Sequence, residues 1–319
     1  MSSAVDARGR PPTLLIVACL LSIYVIWGTT YFALKVAVHG TPPFFLLGTR
    51  FVIAGGLLMG WLLLRGQPFP TLKQWGGAAL LGLLLLTIGL GTVTIAEQWV
   101  SSGATVALIS FMPLATALWS GVFGRWPRGW EWVAILLGLV GTLTMVLGQD
   151  FRVSPLGTVL ILIGAITWSF GTVLSKRLEL PHGAMGFAAE MFAGGVLCLI
   201  VSIAVREPWS LPQSGAIWGA WVYLVIAGSL IAFSAYRYLV DSVSPTLAAT
   251  YAYVNPPVAL LVGWWLGNES FSSNMLVGLP IVLGSVGLLA WMQFRTGAAS
   301  EQDDTKARDA RVCAVRAAE

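Results

Sequence analysis

Charge is what this sequence has least of: Asp, Glu, Lys and Arg make up 10% of its 319 residues, against about 25% in a soluble domain. Charge normally sits on a water-facing surface, so the shortfall excludes an ordinary soluble fold. Cysteine occurs three times, as Cys19, Cys198 and Cys313, with spacing that gives neither a disulfide framework nor a metal site. Histidine occurs twice, as His39 and His182, in loops expected on opposite sides of a membrane. A Ser–His hydrolase centre needs its histidine beside the serine, so that enzyme class is excluded, and clustered metal ligands are missing too. There is no Gly-x-x-x-x-Gly-Lys-Ser/Thr loop to cradle ATP phosphates, which argues against a primary pump. The adjacent acidic pair Asp303-Asp304 lies in a polar tail, away from any apolar run. No enzyme, metal or cofactor is expected. The net charge of +4 is spread over short loops, which is not the clustered basic footprint of a nucleic-acid partner.

What the sequence has instead is apolar length. Hydrophobic residues make up 57% of it, and the mean hydropathy is +0.81. A membrane span needs about 20 mostly apolar residues. Ten runs qualify: 14–37, 43–64, 75–95, 102–123, 130–148, 156–178, 184–205, 215–238, 246–266 and 274–294. They are too long and too evenly apolar for barrel strands, which alternate over about 10 residues. The expected fold class is all-α integral membrane, with ten transmembrane helices and the lipid bilayer as solvent. Tryptophan occurs 15 times. Trp75, Trp99, Trp130, Trp132, Trp209 and Trp291 fall near expected helix ends, where amphipathic rings favour the interface. With the N-terminus inside, the inner segments hold Arg8, Arg10, Arg65, Lys73, Arg125, Arg128, Lys176, Arg177, Arg237, Arg295, Lys306, Arg308, Arg311 and Arg316, and the outer ones only Arg152 and Arg206. Both termini are therefore expected in the cytoplasm. Residues 1–12 and 295–319 are polar and aperiodic and are expected to be disordered. The first apolar run is long and lacks a small-residue cleavage site, so it reads as a retained span.

The chain repeats itself. Trp27–Lys35 (WGTTYFALK) matches Trp168–Lys176 (WSFGTVLSK), and Arg50-Phe-Val-Ile-Ala-Gly-Gly recurs in outline as Glu190-Met-Phe-Ala-Gly-Gly. Ser101–Pro113 recurs as Ser244–Pro256, and Gly138-Leu-Val-Gly as Gly284-Ser-Val-Gly. Four matches in one order predict two repeats, residues 13–149 and 155–294, each of five spans. An odd number of spans makes the second repeat enter the membrane from the opposite side. That inverted topology is one that many secondary transporters use, with a site near mid-membrane between the repeats.

Candidate site residues follow from polarity inside the spans. An intramembrane charge costs roughly 2.5–3.5 kcal/mol on insertion scales, so it is rarely incidental. Arg50 and Glu190 hold equivalent places in the two repeats. Both are expected to face the cavity, Arg50 for a carboxylate and Glu190 for an amine or a proton; the alternative is a structural pairing for each. Burial favours a neutral carboxyl, which makes Glu190 the proton-coupling candidate. Trp27 and Tyr31, with Thr30, form an aromatic-polar stripe on the first helix, as do Trp168, Thr172 and Ser175 on the sixth; each stripe faces either the cavity or another helix. Pro113 and the pair Pro256-Pro257 are expected to break the fourth and ninth helices, freeing the carbonyls of Ile109 and Ala252. Asn255 would then sit at the ninth-helix break with Tyr251 one turn before it. Lys35 and Lys176 read as snorkelling side chains, and Glu97 and Gln98 as either an outer mouth or an ordinary loop.

The stretch Ile26-Trp-Gly-Thr-Thr-Tyr-Phe-Ala-Leu-Lys35 resembles the first-helix motif of the drug/metabolite transporter superfamily, EamA family. Arg50-Phe-Val-Ile-Ala-Gly-Gly resembles its second helix, Ser101-Ser-Gly-Ala-Thr with Pro113 its fourth, and Ser244-Pro-Thr-Leu-Ala with Pro256 and Gly267-Asn-Glu269 its ninth. Ala96-Glu-Gln, Pro181-His-Gly-Ala-Met, Ala189-Glu-Met and Ala252-Tyr-Val-Asn-Pro256 are similar to the subgroup of YedA-type exporters. The resemblance spans about residues 14–294. One departure is Arg125-Trp126, where family repeats often carry a glutamate like Glu269. The resemblance implies a multi-pass protein of a bacterial inner (plasma) membrane that exports amino acids or related small metabolites and drugs by alternating access. The partners it implies are a small-molecule substrate and, in some arrangements, a second copy as a homodimer. An uptake permease for nucleotide-like or sugar cargo is the alternative, and it would want more cavity cations than Arg50 and Lys35. An intramembrane enzyme or receptor is more remote, since no catalytic constellation or signalling domain is seen.

Overall fold

The computed structural model describes residues 13–38, 40–100, 105, 108–146, 154–210, 212, 214–267, 274 and 276–292, and among these residues there is no strand. The principal helices in chain order are α1 (Thr13–Val38), α2 (Pro43–Leu64), α3 (Leu72–Ala96), α4 (Met112–Val122), α5 (Gly129–Val146), α6 (Pro155–Arg177), α7 (Ala184–Ala204), α8 (Gly215–Ser242), α9 (Tyr251–Gly267) and α10 (Leu276–Met292). Among the described residues, six of these are long and apolar enough to cross a membrane: α1, α2, α3, α6, α7 and α8. The others are shorter. Parts of the expected spans 102–123, 130–148 and 274–294 lie outside the described residues, as do the polar ends, Ser101-Ser-Gly-Ala of the fourth-helix motif and Glu269.

Helix starts follow local chemistry. Thr71 and Gln74 form a capping box ahead of α3: the Thr71 hydroxyl accepts from the Gln74 N–H, and the Gln74 side chain accepts from the Thr71 N–H. Ser154 caps α6 with Pro155 next to it, and Ser214 caps α8. Leu21, Leu57, Ile200 and Ile226 are each more than half exposed. An apolar surface of this kind suits a lipid solvent. Trp130, Trp209 and Trp291 are also exposed, at or beyond helix ends, as interfacial anchors would be.

The matched Gly-Gly motifs form one seam. α2 and α7 cross antiparallel, and a Cβ on Gly55 would lie 2.5 Å from the Phe192 backbone nitrogen, while one on Gly195 would lie 2.6 Å from that of Val52. Only glycine allows so close a backbone approach. The end of this pair at the α2 N-terminus is tied by Glu207, whose carboxylate accepts from the N–H groups of Phe44 (3.1 Å) and Phe45 (2.8 Å) and from the Ser202 hydroxyl (2.8 Å). It supplies the partner that the first turn of α2 lacks, because Pro42 gives no side-chain cap there. Glu207→Ala is expected to cost about 1–2 kcal/mol, seen as a lower melting temperature in detergent.

α3 and α8 each contain a π-helical stretch, Gly82–Leu90 and Leu224–Ile231. Wider π turns are frequent at functional sites, and both stretches border the cavity described below.

The prolines behave differently in the two expected breaks. Pro113 stands in the first turn of α4, directly after a turn at Ser110 and Phe111, so the fourth helix is interrupted where expected. The ninth is not. α9 runs through Pro256 and Pro257, and the interruption lies at Ala249 and Thr250, between a single helical turn Pro245–Ala248 and Tyr251. The prolines withhold the N–H groups that would reach the carbonyls of Ala252 and Tyr253, so strain falls on the first turn of α9. The Thr250 hydroxyl also donates to the Leu247 carbonyl at 2.7 Å, competing with the helical ladder at that point. Asn255 therefore sits inside a helix.

Candidate transport cavity

A cavity of about 60 Å³ lies among α1, α2, α3, α4, α6, α8 and α9. α1 lines it with Trp27, Thr30, Tyr31 and Leu34, the i, i+3, i+4, i+7 face of one helix. Arg50, Trp168, Tyr251 and Asn255 complete the polar and aromatic wall. Sequence reasoning did not single out Gly89, Leu90 and Val93 of α3, Met112 of α4 or Phe233 of α8, which also line it. The cavity is far smaller than the roughly 300–1,000 Å³ typical of small-molecule sites, so this conformation is closed around it.

Trp27 is the centre of an aromatic cluster. Its ring lies 5.8 Å from Trp168, 5.2 Å from Phe233, 5.0 Å from Tyr236 and 4.6 Å from Tyr251. Its indole N–H donates to the Gly228 carbonyl in the π stretch of α8 at 3.3 Å. Gly228 is also what makes room for Arg50, since a Cβ there would lie 2.8 Å from the guanidinium. Arg50 is buried, donates from Nε to the Ser229 hydroxyl at 2.7 Å and stacks over Phe51 at 4.8 Å. Among the described residues no carboxylate pairs with it. The Tyr251 hydroxyl donates to the Met112 sulfur at 3.2 Å. Asn255 is 1% exposed, and neither its amide oxygen nor its amide nitrogen has a hydrogen-bond partner. A buried primary amide left open on both sides costs several kcal/mol in an apolar site. The Tyr31 hydroxyl is close enough to engage it, and its remaining sites are open to water or a ligand entering the cavity.

Glu190 is not brought to this cavity. It is buried, and it lines a second, smaller chamber with Thr172, Ser175, Tyr236 and Arg237. Arg237 is bonded to Asp241 at 3.2 Å. Phe233 lines both chambers. Tyr236 lines the inner one while packing against Trp27, Trp168 and Tyr251, so these two α8 side chains form the partition. Lys176 is exposed and donates to the Val243 carbonyl, just past the end of α8, at 3.1 Å. Glu97 and Gln98 part company. Gln98 lines an open groove beside the start of α2 and the end of α7, while one Glu97 carboxylate oxygen is buried without a partner. Among the described residues there is no group of three or more His, Cys, Asp or Glu that could hold a metal.

The EamA-like transporter family matches the sequence twice, over residues 14–147 and 155–291. The inner membrane transporter YedA of Escherichia coli K12 is 44% identical over 271 residues, covering 85% of this chain and 89% of that one. A protein of Chlamydia muridarum named as an S-adenosylmethionine/S-adenosylhomocysteine transporter is 29% identical over 296 residues, covering 85% and 90%. A crystal structure with 21% sequence identity superposes with a TM-score of 0.72 over 90% of this chain and 99% of its own, which shows a shared fold.

Proposed function

The chain belongs to the EamA-like transporter family, and on that premise we propose that it is a secondary transporter of a bacterial inner membrane whose substrate site is the aromatic cavity around Arg50 and Asn255. Its cargo is amino acids or related small metabolites and drugs, moved outward by alternating access of two inverted repeats with both termini in the cytoplasm. Two consecutive family matches and a π stretch in the third helix of each half support the repeat reading. The observation that carries the site is the buried, under-satisfied amide of Asn255 in one cavity with a buried guanidinium that no carboxylate pairs among the described residues. Together they offer donors and an acceptor to a small carboxylate-bearing molecule, and the rings of Trp27, Trp168 and Tyr251 accept its apolar part. A relative named for two compounds that both carry an amino-acid head group supports that cargo class. A single buried guanidinium is a poor match for polyanionic, nucleotide-like cargo.

The test is efflux from proteoliposomes loaded with a panel of amino acids and cationic drugs, with and without a pH gradient. Saturable release of one class above empty liposomes is the expected result. Asn255→Leu, similar in volume and unable to hydrogen-bond, is expected to weaken transport of that cargo about ten- to a hundredfold, the equivalent of about 1–3 kcal/mol. Release that is unaffected by Asn255→Leu moves the site elsewhere. No release from the panel defeats the amino-acid and drug reading.

A further inference from the structure

Glu97 extends the cavity wall although it does not line the closed cavity. Leu90 and Val93 of α3 line it, and Glu97 follows them by seven and four residues, which puts all three on one helix face. Ile95 and Gln98 turn instead to an open groove of about 700 Å³ beside the outer ends of α1, α2 and α7. Glu97 therefore stands where the cavity stripe meets the outer mouth. Its Oε2 is buried with no hydrogen-bond partner, an arrangement that leaves the carboxylate under-satisfied until a donor arrives. Burial pushes its pKa up to about 8, and the Lys35 ammonium on α1 opposes that rise. Tyr31, a cavity residue, is the other titratable group that senses it. Arg50, with no carboxylate partner among the described residues, lines the cavity together with Leu90 and Val93, the two α3 residues that precede Glu97 on that face. The cavity thus holds a cation in its wall, and the helix face that lines it carries a carboxylate beyond its end.

We propose that Glu97 reads a cationic group on the substrate, so that the cavity selects dipolar molecules whose carboxylate meets Arg50 and whose ammonium meets Glu97. The inference rests on the transport reading above and sharpens its substrate class.

Binding to the purified full chain, followed by tryptophan fluorescence from Trp27 and Trp168, tests it with three probes: leucine, N-acetylleucine, which lacks the ammonium, and leucinamide, which lacks the carboxylate. Wild type is expected to prefer leucine to each analogue by about tenfold or more. Glu97→Gln, which keeps the side chain's shape, is expected to lose the preference over N-acetylleucine and keep the preference over leucinamide. The wild-type affinity for leucine is expected to rise as pH is raised through about 8, because a raised pKa leaves the carboxyl neutral below that value; the Gln variant is expected to lose this rise. An unchanged melting temperature separates a binding effect from a folding one. A Gln variant that keeps both preferences overturns the proposal, and so does wild type that binds N-acetylleucine as well as leucine; both leave transport itself standing if liposome flux is saturable. Wild type that binds none of the three overturns the dipolar-substrate assignment, and saturable flux of another cargo would then keep the transport reading alone.

Discussion

Gly55→Val is expected to leave little folded protein. A Cβ at Gly55 would lie 2.5 Å from the Phe192 nitrogen and 2.8 Å from the Ala188 carbonyl oxygen, both main-chain atoms of α7. Overpacking a core where side chains can yield costs about 1–3 kcal/mol. Here no side chain can yield, so α2 must move off α7 along the seam and the loss exceeds about 3 kcal/mol. Two other glycines of α2 grade the effect. At Gly48 the closest atoms belong to the flexible end of Leu199, 2.6 Å away, and Gly60 has nothing within 4 Å. Alanine at positions 60, 48 and 55 is therefore expected to destabilise in that rising order, with valine at 55 the extreme. Melting temperature and the monodisperse fraction after detergent extraction measure it. Equal effects at positions 55 and 60 would show that the seam does not bear on stability.

The same seam explains what was legible in the sequence and what was not. The matched motifs around Arg50 and Glu190 implied equivalent places in two halves, and their glycines do meet. What the linear match could not convey is that the two helices cross antiparallel. Glu190 lies level with Gly55, five residues beyond Arg50 on α2, or about 7.5 Å along the axis. Equivalent positions thus fall on opposite sides of the crossing, and the two charges face different chambers.

Helix limits were legible wherever apolarity and capping agree. The run 43–64 is α2, which starts at Pro43, and 156–178 is α6 to within a residue, behind Ser154 and Pro155. Where they disagree, hydropathy misleads. The run 215–238 stops short of Asp241, yet α8 continues to Ser242, where Asp241 pairs at i, i+4 with the largely buried Arg237. The run 75–95 begins after the Thr71–Gln74 capping box that starts α3 at Leu72. The α3 and α8 cavity residues escaped notice because they carry neither charge nor proline, and a π turn has no residue signature comparable to a cap. Gly228 and Ser229, which hold Arg50, belong to that group.

Tyr236→Phe is expected to open the inner chamber while preserving the fold. The Tyr236 hydroxyl accepts from the Trp168 indole N–H at 3.1 Å and shares a 2.6 Å hydrogen bond with the Thr172 hydroxyl. Phenylalanine keeps the ring that packs on Trp27, Trp168 and Tyr251 but strips the partner from a buried indole. Thr172 is less affected, since its hydroxyl also donates to the Trp168 carbonyl at 2.9 Å. An orphaned buried donor costs about 1–3 kcal/mol. If an inner-open state frees these groups to water, that cost falls on the closed state alone and shifts the populations roughly 5- to 150-fold. Ser175 lines the inner chamber. In a background lacking Cys19, Cys198 and Cys313, Ser175→Cys reports access to it through labelling by a membrane-impermeant maleimide applied to the face on which the proposed orientation puts it, the cytoplasmic one. Adding Tyr236→Phe is expected to raise that labelling rate by about tenfold or more, with a modest fall in melting temperature. Tyr236→Ala, which removes the ring as well, is expected to raise labelling further and to destabilise the protein, because it deletes the ring's three aromatic contacts with Trp27, Trp168 and Tyr251. A labelling rate that Tyr236→Phe leaves untouched while Tyr236→Ala raises it would assign the partition to ring packing, and the hydroxyl would then have no part in holding the chambers apart.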